Sequence, residues 1–162
     1  MLHDLNLKFN LNLKFNEVLK PRKTTEYIIL HHSEVETPHT AEDVHRWHQK
    51  KGWAGIGYHY FINKDGEIYK CRPHDTIGAH AKGYNENSIG VCFEGDFYKE
   101  KMTDAQLSSR VFKLLSDLQR AYPDSKIIFC DELEQRSVPP IMGFRKSDFL
   151  QKFIKFSDNV DI

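Results

Sequence analysis

The chain opens with an alternation of apolar and polar residues that repeats once. The hexapeptide LNLKFN spans residues 5–10 and recurs at 11–16, so leucine or phenylalanine stands at every odd position from 5 to 15. A period of two is typical of a half-buried β-strand. We treat residues 1–22 as an N-terminal arm. The arm either extends an edge strand of its own domain or adds a strand to another chain.

The next segment predicts a buried strand and a helix. Residues 27–31, YIILH, form a continuous apolar run that is typical of a strand buried on both faces. Thr40 and Asp43 have the spacing of a helix capping box, and Gly52 is placed to end that helix. The helix therefore follows the first buried strand after a short connection.

A hairpin and a second buried strand follow. Two runs of strand-forming residues, 58–62 and 67–71, flank Lys64-Asp65-Gly66, and Asp-Gly between such runs is a strong hairpin signal. Residues 88–94 form another apolar run. Between the hairpin and this strand lies a loop that contains two of the nine glycines, at 78 and 83.

The C-terminal third alternates helix, strand and helix. Thr103 and Gln106 form a capping box ahead of apolar residues at helical spacing, which predicts a long helix. Residues 126–130 read as a strand and 145–156 as a final helix. We expect a single α/β domain over residues 23–158, with a mixed central β-sheet flanked by helices.

Composition narrows the classes of function. The 162 residues include 23 Lys and Arg and 23 Asp and Glu, so the zero net charge argues against a nucleic-acid partner. No apolar run approaches the ~18 residues of a membrane span, and the first ten residues lack a secretion signal. We expect a cytoplasmic protein, or one released by a non-standard route. Three cysteines are expected to be free thiols: Cys71, Cys92 and Cys130.

Five short motifs between residues 27 and 95 carry a family resemblance. They are IILHHS at 28–33, RWH at 46–48, GW at 52–53, GYHY at 57–60 and GAHAKGYNENSIG at 78–90. In this order they resemble the N-acetylmuramoyl-L-alanine amidase family, which includes amidase-type phage lysozymes and animal peptidoglycan recognition proteins. The resemblance implies their fold and, as the ancestral activity, cleavage of the amide between N-acetylmuramic acid and L-alanine.

The resemblance also implies a zinc site, which this chain matches in part. The family holds zinc with two histidines and one cysteine; His31 matches the first ligand and Tyr58 a tyrosine that stabilises the oxyanion. The family's second histidine and its cysteine, eight residues later, correspond here to Cys130 and Val138. Arg136 falls where many members place a lysine or threonine beside the metal, and there it could hold an anion.

A zinc ligand is missing from this segment however its residues are matched to those of the family. No histidine follows His80, and Cys130 is the only cysteine after Cys92, so this segment supplies one of the two expected ligands in any register. His31 and Cys130 alone fall short of the three protein ligands usual in catalytic zinc sites. We therefore expect zinc to be absent. The alternative is a carboxylate third ligand, for which the candidates are Asp131, Glu132 and Glu134.

By the same resemblance a cleft for muropeptides should lie nearby. The residues that match its loop and walls are Trp53, Arg72, His80, Lys82, Tyr84 and Asn85. An exposed indole suits the face of a sugar ring, and cationic side chains pair with peptide carboxylates. The alternative for the loop is a glycine-rich surface turn held by its own hydrogen bonds. His48 and His59 are expected to be structural.

Three functions follow from these features. The first is recognition of peptidoglycan fragments by an amidase-like domain that no longer cleaves them efficiently. The second is an active zinc amidase with unorthodox ligands. The third is a protein-interaction or regulatory module on the same fold, which would use the N-terminal arm to bind a protein partner.

Overall fold

Two apolar strands at the centre of the chain organise the fold. In the computed structural model, which describes residues 9–133 and 138–160, strands β2 (Tyr27–His32) and β5 (Ser88–Phe93) pair in parallel along their whole length, with Tyr27 opposite Ser88 and His32 opposite Phe93. Both strands are almost entirely buried, as their continuous apolar sequences predict. The elements in chain order are β1 Phe9–Asn10, β2 Tyr27–His32, α1 Ala41–Lys50, β3 Tyr60–Ile62, β4 Ile68–Lys70, β5 Ser88–Phe93, α2 Ser109–Ala121, β6 Lys126–Phe129 and α3 Lys146–Val160.

The strands form one mixed sheet in the order β1-β4-β3-β5-β2-β6. Only β3 and β4 run antiparallel, as the hairpin around Asp65-Gly66 requires, and the other neighbours are parallel. Strand β6 pairs with β2, with Leu30 opposite Phe129. The carboxyl ends of β5, β2 and β6 therefore meet at one edge of the sheet.

Helices cover the sheet through two separate apolar clusters. The larger cluster joins α2 and α3 to the central strands through side chains such as Leu115, Phe149 and Phe93. The smaller cluster joins α1 to the sheet through Val44 and Phe61. This arrangement confirms the prediction of a mixed sheet flanked by helices in one α/β domain.

One of the two predicted capping boxes starts an α-helix, and the other starts a short 3-10 turn. Thr40 and Asp43 exchange the two hydrogen bonds of a capping box, and α1 begins at the next residue after Thr40. Thr103 and Gln106 make the same exchange, but they close a short 3-10 turn at Ala105–Leu107. Helix α2 starts only at Ser109, so the predicted start of the long helix was wrong by several residues.

The N-terminal arm packs along the domain. Phe9 lies opposite Tyr69, so β1 adds a parallel edge strand to the sheet. The second LNLKFN copy is not a strand, although it keeps its alternation: Leu11, Leu13 and Phe15 are half-buried against the smaller cluster, and the residues between them are exposed. The prediction of strand addition to another chain falls partly on residues 5–8, which lie outside the described part.

Backbone hydrogen bonds hold this second copy in place. The Asn16 N–H donates to Ala54 O at 2.8 Å, and His45 Nε2 lies 2.8 Å from Lys14 O. The ring of Phe15 meets the His45 ring edge-on at 5.0 Å. Residues 11–16 therefore belong to the packed structure of the domain.

No helix within residues 9–133 and 138–160 has both the length and the apolar character needed to cross a bilayer.

The arm should contribute measurably to stability. Phe15→Ala removes a half-buried ring and should lower the free energy of unfolding by about 2 kcal/mol, below the cost of truncating a fully buried phenylalanine. Asn12→Ala removes an exposed side chain of the same repeat and should stay within about 0.5 kcal/mol of the wild type. Urea unfolding measures both. Equal stabilities of the two variants would contradict this packing.

Candidate functional site

A cleft of about 430 Å³ opens at the carboxyl ends of β2 and β6. Polar groups at this edge of a sheet face outward because the strands end there and the connecting loops diverge. The side chains that line it come from the end of β2, from α1, from the loops before β3 and β5, and from the segment after β6. They include His31, Glu34, Trp47, His48, Lys51, Trp53, Tyr58, His80, Tyr98, Cys130 and Val138.

His31 lies at the centre of the strand ends. It stands opposite Cys92 of β5, and Cys130 follows directly after β6. Its Nε2 lies 2.8 Å from Nδ1 of His80. The His80 ring reaches this position because residue 90 is glycine: a Cβ there would lie 2.6 Å from His80 Cγ. The glycine-rich loop thus places one histidine against another.

The partners of His80 fix the proton positions along this pair. Ser88 Oγ lies 2.6 Å from Tyr84 O, which can only accept, so the hydroxyl hydrogen points there. His80 Nε2–H then donates to Ser88 Oγ at 3.2 Å. In a neutral ring His80 Nδ1 must accept, and it does so from Nε2–H of His31. With both rings neutral, these hydrogen bonds leave the lone pair of His31 on Nδ1.

Tyr58 stands beside His31 with its hydroxyl desolvated. The two rings lie 5.3 Å apart. Burial, followed by the electrostatic effect of Cys92, raises the pKa of Tyr58 well above its usual value. The hydroxyl is consequently neutral and serves as a hydrogen-bond donor.

The other end of the cleft is aromatic and basic. Trp53 is 39% exposed, its ring lies 4.6 Å from the ring of His48, and the Lys51 ammonium lies 5.3 Å from its centroid. The Gly57 N–H donates to His48 Nδ1 at 2.9 Å. Burial, with a smaller effect of the Lys51 charge, lowers the pKa of His48 to about 4. This end offers an exposed indole face, an ammonium and a neutral imidazole.

Comparison with known proteins identifies the family. The model of the protein family described as N-acetylmuramoyl-L-alanine amidase matches residues 21–139 of this chain. The chain belongs to the N-acetylmuramoyl-L-alanine amidase family. Its relatives include the endolysin of Enterobacteria phage T3, which is 38% identical over 101 residues that cover 61% of this chain and 67% of the endolysin.

Solved structures agree with this assignment. The amidase LysC from Clostridium intestinale URNW is 28% identical, with a TM-score of 0.80 over 90% of this chain and 96% of LysC. Peptidoglycan recognition protein-LE, solved in complex with tracheal cytotoxin, a monomeric diaminopimelic acid-type peptidoglycan, is 26% identical. Its TM-score is 0.73 over 85% of this chain and 87% of that protein. The family resemblance and the fold it implied are confirmed.

The amidase family implies a zinc ion, which would need metal-binding side chains at the positions of its three ligands. Val138 lines the cleft with His31 and Cys130, and its hydrocarbon side chain cannot bind a metal. Within residues 9–133 and 138–160, no three His, Cys, Asp or Glu side chains come together to hold a metal ion. The described residues therefore do not fit the two-histidine, one-cysteine set.

Two carboxylates proposed as a third ligand have other partners. The Asp131 carboxylate pairs with Lys146 Nζ at 2.8 Å and accepts the Ile141 N–H at 2.8 Å. Glu132 Oε1 accepts the Phe129 N–H at 3.1 Å. The third candidate, Glu134, lies outside the described residues, as does Arg136, whose proposed role stays a prediction.

The predicted binding residues divide into two groups. Trp53 and His80 line the cleft together with Tyr58 and the proposed ligands. The side chains of Lys82, Tyr84 and Asn85 do not line it. Lys82 is exposed, Tyr84 packs against Tyr27 at 5.6 Å, and Asn85 Oδ1 accepts the backbone N–H groups of His80 and Ala81. For Asn85 this is the geometry of a loop held by its own hydrogen bonds.

Arg72 does not line this cleft, but it lines a neighbouring pocket together with Trp53. It is 4% exposed, and its guanidinium donates to the carbonyls of Ile56 and Ile77 at 2.9 Å. The ring of Phe15 stacks 5.5 Å from it. The buried guanidinium therefore ties the arm and two loops together, because carbonyl acceptors satisfy it where water cannot reach.

Sequence reasoning missed several residues of the cleft. His48 was expected to be structural; it does accept the Gly57 N–H, yet its ring also lines the cleft. Lys51, Glu34 and Tyr98 were not predicted as site residues, and Glu34 and Tyr98 carry no motif. For Lys51 the signal was available, because it precedes Gly52-Trp53 at the helix end.

The low pKa of His48 predicts acid sensitivity. The unfolded state binds a proton near pH 6.5 and the folded state near pH 4, so stability is lost as the pH falls through this range. His48→Asn keeps an acceptor for the Gly57 N–H but does not titrate. Between pH 7 and 4.5 the variant should lose about 1–3 kcal/mol less unfolding free energy than the wild type. His74, whose pKa burial also lowers to about 4, titrates in both.

Urea unfolding at several pH values gives this comparison. Identical pH slopes for the wild type and His48→Asn would contradict the assignment of a buried, neutral His48.

Proposed function

We propose that this amidase-family domain recognises peptidoglycan fragments in the cleft and does not cleave them efficiently. The observation that carries the proposal is Val138. A hydrocarbon side chain lines the cleft beside His31 and Cys130, at the position that the family gives to a cysteine ligand. Hydroxide at neutral pH requires the bound metal, so a site that cannot hold zinc loses the nucleophile while its binding walls remain.

The binding walls support the proposal independently. Trp53 and Lys51 combine an exposed indole with an ammonium, which suits a sugar ring and a neighbouring carboxylate. The volume of about 430 Å³ lies within the range of small-molecule clefts. Peptidoglycan recognition protein-LE, a structural neighbour, was solved with a monomeric peptidoglycan. We extend this ligand class to the present cleft.

One observation favours a second candidate, an amidase with an altered metal site. With neutral rings, the hydrogen bonds from His31 through His80 to Ser88 leave the lone pair of His31 on Nδ1, which supports this candidate. A hydrogen bond to the far nitrogen is how proteins orient a metal-binding histidine. Such a site would need a further ligand beyond His31 and Cys130, and Glu134 is the remaining candidate from the sequence. In that case zinc would supply the water activation that the family uses.

Calorimetry with a soluble N-acetylmuramoyl peptide tests the first proposal. The wild type should bind it with the same affinity in the presence of a metal chelator, and should release no L-alanine peptide from it. Trp53→Ala should weaken binding by about 30-fold, equivalent to ~2 kcal/mol for an interface aromatic. Trp53→Phe keeps a flat aromatic face and should lose less.

Other outcomes would decide against it. Binding that a chelator abolishes, together with cleavage, would support the altered amidase. Absence of binding, or binding that Trp53→Ala leaves unchanged, would remove the cleft as a peptidoglycan site.

A further inference from the structure

The cleft contains two opposite charges. Among the described residues that line it, Glu34 supplies the only carboxylate and Lys51 the only ammonium. The Glu34 side chain is 62% exposed, so a ligand can reach it. Between the two charges lie the aromatic and imidazole rings described above.

A series of ring contacts connects Lys51 to His31. Lys51 lies over Trp53, the ring of Trp53 contacts His48, and Tyr58 lies 5.6 Å from His48 and 5.3 Å from His31. Glu34 follows beyond the end of β2, with Oε1 3.5 Å from Nε2 of the neighbouring His32. His32 in turn contacts Tyr98 at 5.3 Å. Lys51 therefore contacts the Trp53 end of this series of rings, and Glu34 lies beside His32, next to His31 in the chain.

The backbone of Glu34 is held in an unfavourable conformation. Its φ is +63°, in the left-handed region, where an L-residue with a Cβ is disfavoured by about 1–2 kcal/mol. Hydrogen bonds keep it there: the Glu34 N–H donates to Gly95 O at 2.9 Å, and the Gly95 N–H donates to Ser33 Oγ at 3.0 Å. Glycine would adopt this conformation without strain, yet the position carries a carboxylate at the rim of the cleft.

We propose that Glu34 is a specificity residue that pairs with an ammonium group of the ligand, and that Lys51 pairs with a carboxylate at its other end. The proposal rests on the function proposed above. Peptidoglycan stem peptides carry backbone carboxylates and, at a diamino acid, a side-chain amine. The expected ligand is thus a stem peptide whose diamino acid keeps its side-chain amine free, with that amine directed toward Glu34.

A pair of ligands that differ at one group tests this proposal. Calorimetry at low salt compares a muramyl tripeptide ending in lysine with the same peptide acetylated on the lysine side-chain nitrogen. The wild type should prefer the free amine by about two- to fivefold, the effect of one partly exposed ion pair. Glu34→Gln should remove the preference by weakening only the free-amine ligand. Lys51→Gln should weaken both ligands equally.

Two further variants separate recognition from structure. Glu34→Gly should raise the resistance to urea, because it relieves the left-handed strain, and should still lose the preference for the amine. Glu36→Gln changes a nearby exposed carboxylate that pairs with Lys99 and does not line the cleft, and it should keep the preference.

The outcomes distinguish this inference from the proposed function. If the wild type binds both peptides equally, or if Glu34→Gln keeps the preference, the role of Glu34 is overturned while peptidoglycan recognition stands. If neither peptide binds, both are overturned.

Discussion

The parallel pairing of β2 with β5 and β6 is the constraint on which the site depends. These strands place Cys92, His31 and Cys130 next to one another at their carboxyl ends. Since side chains alternate across a sheet, a slip of one residue in β2 would move His31 to the opposite face. The burial of β2 on both faces prevents such a slip, because it would expose or misplace every apolar side chain of the strand. The register of the core thus determines the geometry of the cleft.

Burial also keeps two side chains at the centre of the cleft, Tyr58 and His48, uncharged. Desolvation raises the pKa of Tyr58 and lowers that of His48, so both side chains are uncharged near neutral pH. Among the described residues that line the cleft, Glu34 and Lys51 supply the carboxylate and the ammonium. A cleft of this kind binds polar groups at its centre by hydrogen bonds and orients a ligand by these two charges. This division is consistent with recognition that does not depend on a metal.

Much of the framework was predictable because its signals are local. The apolar run at 27–31 and the capping box at Thr40 each specify an element through neighbouring residues, and the structure contains both. Other features depend on residues distant in sequence. The guanidinium of Arg72 is buried because Phe15 and two loops meet it. The φ of Glu34 depends on hydrogen bonds to Gly95. Neither arrangement leaves a pattern within its own segment, so sequence reasoning did not predict the buried hydrogen bonds of Arg72 and overlooked Glu34.

The zinc content of the purified protein tests the central claim most directly. Elemental analysis should find well under one zinc per chain in the wild type. The paired change Cys130→His with Val138→Cys should bring it close to one, whereas Cys130→His alone should not, because it still leaves the site one ligand short of three. One tightly bound zinc per wild-type chain would contradict the claim and would require a third ligand from residues 134–137.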